Sequence, residues 1–210
     1  MPYRATEATR TARELRSCSL LNAARAIVAR GGFGAATIKA VSADAQVSVG
    51  TVYTYFATRE ELLAAVFREA ASIELDAVRA SVATATQTAA AQLRALIEAF
   101  ACRAIRGRRL AWALLVEPVD PLIDAERLSY RRAYADTVAA IISRGVTSGE
   151  LPSQDARIVG PGIVGAIGEA LIGPLSPLND SAATTDQVIN SILALCLRAI
   201  GATEHEGDRP

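Results

Sequence analysis

The chain has 210 residues, 51% of them hydrophobic, which allows a sizeable core and a small domain joined to a larger one. A formal net charge of zero excludes a globally basic nucleic-acid coat, yet residues 1–60 hold eight basic side chains against four acidic ones, a basic head on an acidic body. Three scattered cysteines (Cys18, Cys102, Cys196) cannot form a disulfide framework, and a single histidine, His205, argues against histidine catalysis and a multi-histidine metal site.

Residues 1–10 are polar and read as frayed, with no apolar leader; a reduced, cytoplasmic protein without cofactor or membrane partner is expected. Leu15, Leu20, Ala23, Ala24, Ile27 and Val28 recur at helical spacing until Gly31 and Gly32 stop the helix. Thr37 is an N-cap for a short helix carrying Ile38, Val41 and Ala45, and Gln46-Val47 reads as a tight turn. Ser48 caps a second short helix through Tyr53. Thr58 and Glu61 form a capping box opening a long helix toward residue 83. Further helices are predicted over about 89–106, around Trp112 and Leu115, and over 122–145, 155–172 and 185–200, with Pro118, Pro121, Pro174 and Pro177 as breaks. From Ile158 to Asn179 the only charged side chain is Glu169, but five glycines and three prolines interrupt the stretch, so a buried helix is expected rather than a membrane span. No period-2 alternation suggests a sheet. The fold class is all-α, with about nine helices.

Short helices followed by a long one are the parts of a helix-turn-helix, in which the first helix of a pair braces and the second enters the major groove. Ile38, Val41, Ala45, Val47 and Val52 would hold the pair together, leaving Ser48, Val49, Gly50, Thr51 and Thr54 outside. Gly50 weakens a helix, and close approach to DNA would account for it. The stretch ARAIVARGGFGAATIKAVSADAQVSVGTVYTYFATREELLAAV, residues 24–66, closely resembles the DNA-binding region of the TetR family of repressors. The resemblance rests on Gly31-Gly32-Phe33, on Val47-Ser48, on Gly50-Thr51-Val52-Tyr53-Thr54-Tyr55-Phe56 and on the cap Thr58-Arg59-Glu60-Glu61. It implies a helix-turn-helix DNA-binding domain over 14–74 and a helical ligand-binding and dimerisation domain over 75–204. It also implies that Thr37 and Lys39 touch phosphates. Ser48, Val49, Gly50 and Thr51 then face bases or phosphates, with Thr54 on the same outer surface, and Tyr53, Tyr55 and Arg59 bind the DNA backbone. The chain departs from the family at Gln46, where glycine is frequent, and at Val49, where a basic residue is frequent. A left-handed glutamine costs about 1 kcal/mol, and a valine can meet a thymine methyl.

The partners implied are a double-stranded, palindromic DNA operator, a second copy of the chain and a small-molecule effector. By the same resemblance the last two long helices pair with those of the partner. Gly162, Gly165 and Gly168 form a small-residue ridge on one, and Ile189, Leu193, Cys196 and Leu197 an apolar stripe on the other. For the effector, Phe100, Trp112, Tyr130 and Tyr134 are candidate walls of an apolar cavity. Arg127 shares a helix face with both tyrosines. Three outcomes stand open for it: an anionic ligand, an ion pair with Glu117 or Glu169, or solvent. The function expected is a ligand-released repressor; a ligand-independent DNA-binding protein or an activator is the alternative. No nucleophile–base pair supports an enzyme.

Overall fold

The computed structural model describes residues 7–86, 88–178 and 183–202; residues 1–6 and the tail with His205 lie outside the described residues. Among the latter there are nine α-helices, one 3-10 turn and no strand. In chain order these are α1 (Glu7–Gly31), the turn η1 (Phe33–Ala35), α2 (Ile38–Asp44), α3 (Val49–Tyr55), α4 (Arg59–Thr84), α5 (Ala89–Arg106), α6 (Arg108–Leu115), α7 (Pro121–Thr147), α8 (Ala156–Leu175) and α9 (Thr185–Ala199). Hydroxyl caps start five of them. Thr37, Ser48, Thr58, Thr88 and Thr184 each accept from the backbone N–H three residues on. Asp120 with Pro121 at the first turn opens α7. Two bounds differ from expectation. Glu7 to Arg10, expected to fray, are helical. Helix α8 runs through Pro174 to Leu175, because the Ser176 N–H donates to the Ile172 and Gly173 carbonyls and closes the last turn.

The helices enclose two cores. Leu20, Val28, Phe33, Val41, Val52, Leu62 and Val66 belong to the first, which also takes in Ala113, Leu114 and Ile123 from α6 and α7. Leu93, Leu96, Ile97, Val138, Ile142, Ile167 and Leu171 belong to the second, with the inner face of α9. Each fully buried Leu or Ile contributes roughly 1.5–3 kcal/mol, against at most about 1 kcal/mol for an exposed ion pair. Burial therefore holds both units. Helix α4 crosses between them: Ala71 packs in the first core and Val78 in the second.

One expectation about the last helices needs correction. Ile189, Leu193, Cys196 and Leu197 are buried inside the chain's own second core rather than turned outward, since α9 packs on α5 and α8. Gly162, Gly165 and Gly168, expected to admit a partner helix, do not mediate close approach within the chain, where a Cβ on any of them would meet nothing within 4 Å. That role falls to Gly160, whose Cβ would lie 2.9 Å from the Ala135 carbonyl of α7. Nor is α8 a wholly buried helix. It is long and apolar enough to cross a membrane by length and composition, and only 28% of its most apolar window is buried. One face packs through Ile163, Ile167 and Leu171, while Ile158 on the other is 72% exposed.

Candidate nucleic-acid interface and ligand cavity

The first core presents α3 on its outside. Ile38 and Val41 of α2 point inward with Val52 of α3, leaving Lys39 exposed. Gln46 takes the left-handed turn (φ 54°) predicted at that position, and the Val47 N–H donates to the Ser42 carbonyl at 2.9 Å. Ser48 Oγ caps α3 by accepting from the Thr51 N–H at 3.1 Å and lies 2.9 Å from Thr51 Oγ1. Thr54 Oγ1 donates to the Gly50 carbonyl at 3.1 Å. Thr37, Ser48, Val49, Gly50, Tyr53 and Thr54 are exposed, while Thr51 and Tyr55 are half-buried. A Cβ on Gly50 would meet only Ser48 Oγ, at 3.8 Å, so nothing inside the chain requires glycine there. The Arg13 guanidinium sits 6.0 Å from the centre of the Tyr55 ring.

Arg59, expected to bind the DNA backbone, is engaged within the chain as a clamp. Its Nε donates to the Ala36 carbonyl at 2.9 Å and its Nη2 to the Phe33 carbonyl at 2.6 Å. These carbonyls belong to the turn between α1 and α2, where the Phe33 carbonyl also accepts from the Ala36 N–H at 3.2 Å. A half-buried guanidinium satisfies both and ties the start of α4 to η1.

At the other end of the first core, α4, α5, α6, α7 and α8 enclose a cavity of about 170 Å³. Of the residues expected to line it, Phe100, Arg127, Tyr130, Tyr134 and Glu169 do; Trp112 and Glu117 do not. Trp112 packs against the second core. The sequence reading missed Glu74 and Arg103, which face each other across the cavity wall. Arg103 Nη2 donates to Glu74 Oε1 at 3.0 Å and its Nε to the other carboxylate oxygen. That hydrogen bond, ahead of the opposing effect of burial, raises the Arg103 pKa above its ordinary value. No local motif could find this pair, because its members lie on different helices 29 residues apart. The Tyr134 ring meets Phe100 edge-on with centroids 5.3 Å apart, and burial, before any charge, pushes its phenol pKa well up. The Tyr130 hydroxyl donates to the Arg68 carbonyl at 3.0 Å.

Arg127 pairs with neither Glu117 nor Glu169 through their carboxylates. Its Nε donates to the Leu114 carbonyl at 2.9 Å, and its Nη2 to the carbonyls of Glu117 at 2.8 Å and Ala113 at 3.3 Å. Its ion pair is with Asp124, at 3.2 Å. Burial lowers its pKa, and Asp124 works against that. Unpaired carbonyls at the end of α6 are thus closed by a cation from α7.

Glu117 serves elsewhere. Its carboxylate accepts from the backbone N–H of Phe33 at 3.1 Å and of Gly34 at 3.1 Å. The orphan donors at the start of η1 are thereby satisfied from a loop more than 80 residues away. Gly32 (φ 78°) makes room for this contact: a Cβ there would lie 2.5 Å from Glu117 Oε2.

Residues 20–66 match the sequence profile described as bacterial regulatory proteins, tetR family. Over 68 residues the chain is 41% identical to the HTH-type transcriptional repressor KstR of Mycobacterium tuberculosis; this covers 32% of the chain and 31% of that protein, so the match spans about a third of its length. The fold is similar to that of the transcriptional regulator FadR from Bacillus subtilis, solved in complex with stearoyl-CoA, with a TM-score of 0.73 and 22% identity over 87% of this chain and 98% of that one. It is also similar to AibR, solved with isovaleryl coenzyme A and operator DNA, with a TM-score of 0.65 and 15% identity over 86% of this chain and 97% of that one.

Proposed function

We propose that this chain, whose residues 20–66 match the profile of the tetR family of bacterial regulatory proteins, is a dimeric transcriptional repressor released from a palindromic operator by a small molecule. The observation that carries the reading is the tip of α3: a capped helix start with Ser48, Val49 and Gly50 exposed and Lys39 beside it. Helix starts favour phosphate, and a short helix presenting small side chains fits a major groove. Thr37, Lys39, Ser48, Val49, Gly50, Thr51, Tyr53, Thr54 and Tyr55 are the proposed contact set; Arg59 supports it from within.

The change of core along α4, between Ala71 and Val78, supports the proposed division at residues 14–74 and 75–204, with Ala113, Leu114 and Ile123 reaching back into the first core. For the dimer, the outward face of α8, with Ile158, Gly162 and Gly165, is the proposed contact, joined by Leu195, which is 48% exposed on α9. This apolar face has no cover within the chain and favours burial against a second copy. That FadR and AibR were solved with acyl-CoA compounds supports a small-molecule role for the cavity.

Two connections link cavity and head. One is α4 itself. The other is Glu117, whose carbonyl is held by Arg127 at the cavity wall and whose carboxylate holds η1. A ligand that favours one position of this loop over another shifts DNA affinity by its differential affinity for the two states.

Selection of bound duplexes from a random pool, followed by salt titration of the enriched sequence, tests the reading. A palindrome with steeply salt-dependent affinity is expected. No enrichment from a folded, dimeric protein would sink the DNA-reading proposal.

A further inference from the structure

The cavity contains three guanidinium groups, from Arg103, Arg127 and Arg131, and an anionic ligand would need one of them free. Arg103 is bound through two nitrogens to Glu74. Arg127 donates through Nε, Nη1 and Nη2 to three carbonyls and Asp124. Arg131 is exposed and belongs to the rim, as does Glu169. The inner wall therefore offers no uncommitted cation, and a carboxylate drawn inside would lose its water without gaining a partner.

One polar group in the wall is uncommitted. Among the described residues, the buried side-chain nitrogens and oxygens without a hydrogen-bond partner are Arg25 Nε, Glu69 Oε2 and Tyr134 Oη, and of these only Tyr134 lines the cavity. A buried hydroxyl without a partner is costly, and a ligand oxygen removes the cost. Most of the remaining wall is apolar, with Phe67, Leu96, Phe100, Leu114 and Ile167. The volume, about 170 Å³, sets the size; an apolar cavity of about 150 Å³ holds benzene.

We infer that the cavity binds a neutral, largely apolar molecule of about a benzene ring's size, carrying one hydroxyl or carbonyl oxygen that pairs with Tyr134 Oη, and that it rejects the corresponding carboxylate. This deepens the effector role proposed above and rests on that reading only for its effect on DNA; binding itself stands apart from it. Arg103 and Glu74 hold each other and leave the phenol to the ligand. A charged extension on the ligand belongs outside, beside Arg131.

The test is calorimetric titration of the full-length protein at neutral pH with benzyl alcohol, toluene and benzoate. Benzyl alcohol is expected to bind more tightly than toluene, and benzoate at least tenfold more weakly than benzyl alcohol. Tyr134→Phe, checked by its melting curve, is expected to weaken benzyl alcohol about fivefold and leave toluene unchanged, the effect of one hydrogen bond. Benzoate binding as tightly as benzyl alcohol, no binding by any of the three, or an indifferent Tyr134→Phe variant would each overturn the assignment. The ranking of the three probes on the native protein decides the matter even if the variant fails to fold. Adding benzyl alcohol to the protein–operator complex separates the two proposals. If it binds and DNA stays bound, the release reading fails and the cavity chemistry stands. If DNA is released equally well from native protein and Tyr134→Phe, the cavity chemistry fails and the release reading stands.

Discussion

Two basic residues at the reading head look alike in sequence and do different work. Lys39 is exposed and free to meet a phosphate, whereas Arg59 holds two backbone carbonyls. Lys39→Ala is expected to leave the melting temperature unchanged and to lower the slope of log affinity against log salt by about one, read by titration of the bound duplex. Arg59→Ala is expected to cost about 2 kcal/mol of folding stability in denaturant titrations, because it removes the guanidinium donors from the Ala36 carbonyl and from the Phe33 carbonyl, which keeps only the Ala36 N–H. Arg59→Lys does not restore it, since an ammonium lacks the planar fork that reaches both. The sequence showed a cation beside a recognition helix and nothing more. Its real partners lie 23 and 26 residues earlier in the chain. Glu117 was misread for the same reason. A carboxylate near an arginine suggests a pair, but here the arginine uses the carbonyl and the carboxylate leaves for η1. Glu117→Gln is expected to speed hydrogen exchange at the Phe33 and Gly34 amides, because an amide side chain offers one acceptor oxygen where the carboxylate offers two.

Among the elements, α2, α3 and α4 were legible because each announces itself by a hydroxyl cap. Thr37, Ser48 and Thr58 fix the starts of α2, α3 and α4 to the residue. Periodicity also found the apolar stripe of α9, but a stripe says only that a face is buried. It cannot say whether the cover is the same chain or another, and here it is the same chain. The glycines of α8 divide likewise. Gly160→Ala is expected to destabilise the chain by roughly 1–3 kcal/mol, since the added Cβ meets the Ala135 carbonyl, a backbone atom that cannot swing aside. Gly162→Ala meets nothing within the chain. In a dissociated protomer it is expected to add up to about 1 kcal/mol through helix propensity. If α8 forms the dimer contact, the same change weakens association, which sedimentation of the two variants measures.

The whole molecule responds to alkaline pH through its core. Burial pushes the Cys196 thiol from its ordinary pKa of 9.0 up to about 11. The unfolded chain therefore loses this proton first. The contribution of the group to stability is complete below pH 9 and is lost as pH rises toward 11. Cys196→Val is expected to show a shallower fall in melting temperature over that range than the native protein. The all-α class, the helix order and the pairing of α2 with α3 were open to inspection in the sequence. The cavity was half visible, through the aromatic face of α7. Its Glu74–Arg103 pair was not, because the side chains meet only once α4 and α5 are packed.

The joint between loop and head is made to the main chain. Glu117 grips the N–H groups of Phe33 and Gly34, and Arg59 grips the carbonyls of Phe33 and Ala36. Main-chain groups are the same whatever side chains surround them. If α3 reads DNA as proposed, a descendant of this chain can therefore exchange Val49, Thr51 or Thr54 and read a different DNA sequence while keeping the same attachment to the rest of the molecule. The position of Gly32, where a Cβ would lie 2.5 Å from Glu117 Oε2, is closed to such change. On the proposed reading, the fold separates what is recognised from how recognition is switched, and leaves the two free to evolve at different rates.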